Sequence, residues 1–114
     1  MDSSLAIGVI DEGDLQDIAA AVGDALGVDL HERYGLHIGG GRYFSNWSLD
    51  WPDPEIHVVS NFGPDEAEWK YPRDQDVPFI VHVWPRKETI DAHDVLGRLS
   101  KVVASCRLLA RYDA

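Results

Sequence analysis

The sequence predicts an α+β fold: a mostly antiparallel sheet of four or five strands with two helices on one face, ferredoxin-like or a variant of it. Three observations point there. Leu15–Leu26 and Ala92–Cys106 each carry apolar residues at helical spacing. "EIHVVSNF" and "PFIVHVW" have the apolar, β-branched character of strands. The order along the chain is strand, helix, three or four strands, helix and a closing strand, which suits helices gathered on one side of a sheet.

The elements follow in order. "SLAIGVI" reads as a first strand weakened by Gly8. In "DEGDLQDIAAAVGDALGVD", Leu15, Ile18, Ala19, Val22, Ala25 and Leu26 share one helical face. Asp11 is the predicted N-cap, and Gly27 is suited to the left-handed C-cap. "GLHIGGGRYFSNWSL" reads as a hairpin turning at Gly39–Gly41, where glycine takes positive φ without steric cost. "WPDP" breaks the pattern, because two prolines do not fit a central strand. "EIHVVSNF" and "PFIVHVW" flank the polar connection "GPDEAEWKYPRDQD". With Phe62 placed opposite Val77, the pairs become Ser60–Phe79, Val59–Ile80, Val58–Val81, His57–His82, Ile56–Val83 and Glu55–Trp84. The second helix, capped at Thr89 or Asp91, carries the stripe Ala92, Val95, Leu96, Leu99, Val102, Val103 and Cys106, and "RLLARY" closes as a strand.

The chain of 114 residues is long enough for one domain, hiding roughly two thirds of its unfolded surface without disulfide or metal. The single cysteine, Cys106, rules out an internal disulfide and suits a reducing compartment. The N-terminus lacks the basic region and apolar length of a signal peptide, and no stretch approaches the ~20 apolar residues of a membrane span. A cytoplasmic protein is predicted. Three lysines against seven arginines, with abundant Ala, Gly, Val and Asp, fit a bacterial coding sequence of high GC content.

Twenty acidic against ten basic residues give a net charge of -10. Such a field repels nucleic acid and anionic membranes and speeds encounters with basic partners. The Gly39–Gly41 run lacks the ending and following helix of a phosphate loop. Zinc needs at least three protein ligands, and His57 and His82 find a third only if His37 joins them. Neither metal nor cofactor is predicted. Cys106 falls on the apolar stripe, and no serine has the surroundings of a nucleophile elbow, so no catalytic residue is assigned.

Ser45–Pro72 holds three of the four tryptophans and six carboxylates against the single base Lys70. One or two of Trp47, Trp51 and Trp69 suit the core; all three together do not. Exposed Trp and Tyr dominate protein–protein binding energy, and flanking acids steer basic partners. The predicted anchors are Trp51, Trp69, Tyr71 and Trp84, and the steering acids are Asp50, Asp53, Asp65, Glu66, Glu68, Asp74 and Asp76. Two other readings stand beside this one. One is a small enzyme with a histidine-based site on the sheet at His57 and His82, with His37 as an optional third member; the other is a homodimer joined through the open sheet face.

The stretches "EIHVVSNFGPDEAEW" and "DVPFIVHVWPRKETIDAHDVLGRL" resemble small acidic bacterial immunity proteins associated with polymorphic toxins. Shared features are an acidic helix, a glycine turn before an aromatic strand, a strand ending in Asn with an acidic loop, then an apolar strand and a closing helix. The likeness spans roughly residues 13–112. It implies a protein that covers a toxin's active site or an essential surface, doing no chemistry itself. Contact residues differ between members, so the resemblance assigns none here. Asn61 matches the strand-end Asn, although a turn-forming Asn accounts for it equally well.

Overall fold

The computed structural model describes residues 3–35, 41–49, 54–63, 68–85 and 91–113. The most apolar strand, β1 (Ser3–Ile10), occupies the interior of the sheet, where both of its faces are covered. It is followed by α1 (Leu15–Leu26), the hairpin strands β2 (His31–Gly35) and β3 (Gly41–Ser45), and β4 (Glu55–Ser60). A short ribbon, β5 (Phe62–Gly63) with β6 (Glu68–Trp69), precedes β7 (Phe79–Trp84), α2 (Ala92–Leu99) and β8 (Ser105–Asp113).

Among the described residues, six strands make one antiparallel sheet in the order β2-β3-β4-β7-β1-β8. Without the β2–β3 hairpin the chain reads βαββαβ with sheet order β8-β1-β7-β4, the ferredoxin-like arrangement. The hairpin, inserted between α1 and β4, adds strands beyond β4 and brings the number to six instead of four or five. Its first strand begins at His31, earlier than the sequence pattern indicates, and its turn lies outside the described residues.

Both helices pack on one face. Leu15, Ile18 and Val22 of α1 and Val95 and Leu99 of α2 meet Leu5, Ile7, Val9, Ile56, Val58, Val81 and Val83 of the sheet. The period-2 alternation of β4 and β7 sets their register, and all six predicted pairs from Glu55–Trp84 to Ser60–Phe79 are present. The pairing stops there. The Asn61 N–H donates to Pro78 O, and Phe62 pairs with Trp69 rather than facing Val77.

The opposite face has its own smaller core. Ala6, Val59, Val77 and Ile80 are buried, with Ile10, Tyr43, Tyr71 and Leu109 against them. The connection from β4 to β7 therefore folds back over the sheet. Gly8 makes this possible: a Cβ there would lie 2.8 Å from Val77 Cγ1 and 3.1 Å from Leu109 Cδ2. The residue that weakens β1 as a strand is the one that lets the connection close down on it.

Three local expectations are corrected. Asp11 does not cap α1; Asp14 does, in a reciprocal capping box with Asp17, because Asp11 is drawn elsewhere. Its carboxylate accepts from Gly13 N (3.1 Å) and Ala104 N (2.8 Å), tying the end of β1 to the start of β8. The second helix ends at Leu99, not Cys106, since the following residues turn and β8 pairs along β1. Cys106 is thus a strand residue opposite Val9, half-buried, its Sγ 3.6 Å from Leu96 O, and burial raises the thiol pKa. The caps at Asp91 and Gly27 (φ 70°) are as the sequence indicates.

Two helical glycines should respond oppositely to alanine. At Gly97 a Cβ meets nothing within 4 Å, so Gly97→Ala should stabilise by about 0.5–1 kcal/mol through helix propensity. At Gly23 a Cβ would lie 2.8 Å from the Val28 carbonyl oxygen, where the chain leaves α1 and Val28 N bonds back to Gly23 O. Gly23→Ala should therefore destabilise by about 1–3 kcal/mol despite the same propensity gain. Urea midpoints of the two variants decide it; a rise in both would mean that the α1 exit is not packed this tightly.

Candidate functional site

Two Ser-Asn-aromatic triplets end neighbouring strands: Ser45-Asn46-Trp47 after β3 and Ser60-Asn61-Phe62 after β4. Both asparagines use their side chains as clamps. Asn46 Oδ1 accepts from Ile56 N (2.7 Å), and its Nδ2 donates to Pro54 O (2.9 Å), closing the connection that contains Trp51. Asn61 is fully buried. Its Oδ1 accepts from Tyr71 N (2.9 Å), and its Nδ2 donates to both Asp74 O (2.9 Å) and Val77 O (2.8 Å). Each side chain stands in for a missing stretch of sheet, satisfying backbone groups that a loop leaves open. Asn61 is thus more than a turn former.

These clamps frame a row of rings across the open face. Tyr43 on β3 stacks on His57 of β4, with centroids 5.5 Å apart and planes within 3°. His57 meets the edge of Trp84 on β7 at 4.8 Å, and Trp84 stacks on His82 at 5.2 Å. Tyr71 completes the row against His82 at 6.4 Å. The cross-strand pairing His57–His82 and Glu55–Trp84 produces this arrangement directly, since every second residue of paired strands lands on one face.

The row buries His57 and half-buries His82. His57 is only 5% exposed. Its Nε2 lies 2.7 Å from Glu55 Oε2. Burial lowers the His57 pKa, and the Glu55 hydrogen bond opposes that shift without cancelling it. The ring is therefore neutral at pH 7, with its proton on Nε2 toward the carboxylate. His57 Nδ1 is buried with no hydrogen-bond partner among the described residues. His82 is pushed down to about 4 by burial first, then by repulsion from His57 and Lys70.

Beside this row, Arg33, Tyr43, Trp47, Glu55 and His57 line a cleft of about 430 Å3. Arg33 Nη2 donates to the Trp47 carbonyl oxygen (3.2 Å). Trp47, 39% exposed, and Trp84, 37% exposed, are the large apolar side chains that reach solvent here.

The residues predicted as a partner surface divide. Asp50, Trp51, Asp53, Asp65 and Glu66 lie outside the described residues. Glu68 is in β6 opposite Gly63. Trp69 is half-buried against Phe62, centroids 5.1 Å apart. Tyr71 is half-buried in the small core, and Trp84 is exposed at the end of β7. Asp74 and Asp76 converge on Arg107 of β8: its Nη2 donates to Asp74 Oδ1 (2.9 Å) and Asp76 Oδ1 (2.8 Å), its Nη1 to Asp76 Oδ2 (2.8 Å). The Arg107 hydrogen bond lowers the Asp76 pKa. This fork straps the connection to the sheet edge.

No protein-family model matches the chain, and no curated protein or solved structure matches it either. Tyr43, Glu55 and Arg33 join the site without having been singled out, and so does Asn46. The repeated Ser-Asn-aromatic triplet is the signal that marks the two loops as related. Among the described residues no group of three His, Cys, Asp or Glu is placed to hold a metal ion, and no helix is long and apolar enough to cross a membrane.

Proposed function

We propose that this chain is a cytoplasmic immunity or antitoxin-type protein that binds and neutralises a basic toxin, a nuclease being the leading candidate. The observation that carries this reading is the ring row with exposed Trp84 at its centre and exposed Trp47 in the cleft beside Tyr43 and His57, on a molecule of net charge -10. Rings held by their neighbours lose little freedom on binding, and a bound Trp supplies a large contact area at low entropic cost. The acidic field steers a basic protein toward the surface. Trp84 and Trp47 are the anchors in this reading, with Trp69 and Tyr71 backing the loop. Asp74 and Asp76, engaged by Arg107, support the loop more than they steer.

The enzyme reading is weaker for a geometric reason. His57 Nε2 is occupied by Glu55, and Nδ1 is buried, so neither nitrogen of this ring is open to take a proton from a substrate.

Tagged protein, incubated with lysate of its native cells, should retain a basic protein in near-equal amount, and co-expression should restore growth to cells making that protein. Raising salt from about 0.05 M to about 0.5 M should slow association at least about tenfold. Trp84→Ala should weaken the complex by about 2 kcal/mol. Rescue of growth with binding indifferent to salt and to Trp84→Ala would remove this surface from the mechanism. Absence of any growth rescue would remove the function.

A further inference from the structure

The cleft beside the ring row has a composition that the partner reading leaves unused. Tyr43 and Trp47 supply aromatic surface, and Glu55 supplies a carboxylate whose side chain is 13% exposed. His57 Nε2 lies 2.7 Å from Glu55 Oε2 and holds that carboxylate at the cleft. The ring also fixes that carboxylate from below, so that it does not follow solvent as a surface Glu would. Arg33 is the basic member of the described lining, with one of its N–H groups directed to the Trp47 backbone. At about 430 Å3 the cleft is within the range of about 300–1,000 Å3 typical of small-ligand sites, and holds a long side chain rather than a folded segment.

We infer that this cleft receives an arginine side chain of the partner, its guanidinium lying against Tyr43 and Trp47 and turned toward the Glu55 carboxylate. The inference rests on the partner reading above for where that arginine comes from. A planar, delocalised and weakly hydrated guanidinium gives up little water on entering an aromatic cleft and stacks on ring faces, whereas an ammonium is held more tightly by water. The charge of the whole molecule favours the same sign of ligand. An anion would gain from Arg33 but would meet Glu55 at short range.

Argininamide is the probe, followed by amide NMR shifts of Arg33, Tyr43, Glu55 and His57 and by the Trp47 indole signal. Citrullinamide is the control, since it keeps the shape and the α-ammonium but lacks the guanidinium charge; lysinamide and acetate complete the set. Argininamide should bind saturably, and citrullinamide should bind at least about tenfold more weakly. Glu55→Gln should weaken argininamide about tenfold, while Arg33→Gln, which removes a like charge from a half-exposed edge strand, should tighten it about twofold. Equal shifts from citrullinamide would overturn the inference. So would acetate binding at the same residues together with loss of all binding in Arg33→Gln, the mark of an anion site. Because Glu55 is near the sheet interior, Arg33→Gln keeps the test open if Glu55→Gln unfolds.

The probe does not depend on the toxin, so the two readings fail separately. Saturable argininamide binding without growth rescue sustains the guanidinium site and sinks the antitoxin function. Growth rescue without argininamide binding leaves the antitoxin and overturns the cleft.

Discussion

Asn61→Asp is expected to destabilise the fold by about 3–5 kcal/mol, more than Asn61→Ala at about 2–4 kcal/mol, although aspartate matches asparagine in shape. Asn61 is fully buried and bonded through every polar group it has. Its main chain donates to Pro78 O (2.8 Å) and accepts from Lys70 N (2.8 Å). Its side chain accepts from Tyr71 N and donates to Asp74 O and Val77 O. Alanine strands one donor and two acceptors. Aspartate keeps the bond from Tyr71 N but turns an acceptor, charged above its pKa, toward two carbonyl oxygens with no water between them. The order Asp worse than Ala is therefore the diagnostic, measured by urea unfolding at pH 7. Ala costing more than Asp, or either costing less than about 1 kcal/mol, would mean that the Asn61 amide is not the clamp.

The second large effect is on pH. Stability should fall as pH drops from about 6.5 toward 4, and His82→Gln should remove most of that fall. His82 is pushed down to about 4 in the fold, chiefly by burial and then by His57 and Lys70, against an ordinary value of 6.5. His57 shifts the same way. The unfolded chain therefore takes up protons first, and the contribution is fully present above pH 6.5 and lost as pH falls through the folded value. For His82 it is on the order of 3 kcal/mol. Asp11, Glu32 and Asp76, whose pKa values are lowered by hydrogen bonds to Ala104, Arg42 and Arg107 respectively, lose their contributions at lower pH. The interval between about pH 6.5 and 5 thus isolates the imidazoles. Urea midpoints at pH 7.5, 6 and 5 give the test. Parallel pH profiles for wild type and His82→Gln would show that the ring row does not desolvate His82.

Both effects trace to residues that the sequence reveals unequally. The pairing of His57 with His82 and of Glu55 with Trp84 was legible as one register among those that strict alternation allows, and the structure selects it. Burial of the imidazoles was not. That depends on Tyr43 arriving from β3 and Tyr71 from a loop, contacts across distant positions that no local pattern encodes. The acids are a similar case. Asp74 and Asp76 read as part of an exposed acidic loop until Arg107, on β8, is seen to hold them.

The sequence alone determined the fold class and the cap at Gly27, which follow from patterns repeating within a few residues; it offered Asp91 beside Thr89 as the second cap, and the β4–β7 register followed only once Phe62 was set opposite Val77. The tertiary structure decided where the second helix stops. The apolar stripe runs on through Cys106, yet β1 offers an open edge, and the backbone bonds of a nine-residue strand outweigh continued helix. It also decided that Gly8 is a clearance for Val77, that Asn61 is a clamp, and that burial lowers the His57 and His82 pKa values. The reason is common to all of them. Each depends on what lies on the other side of the residue in space, and that is set by how the connection from β4 to β7 folds over the sheet.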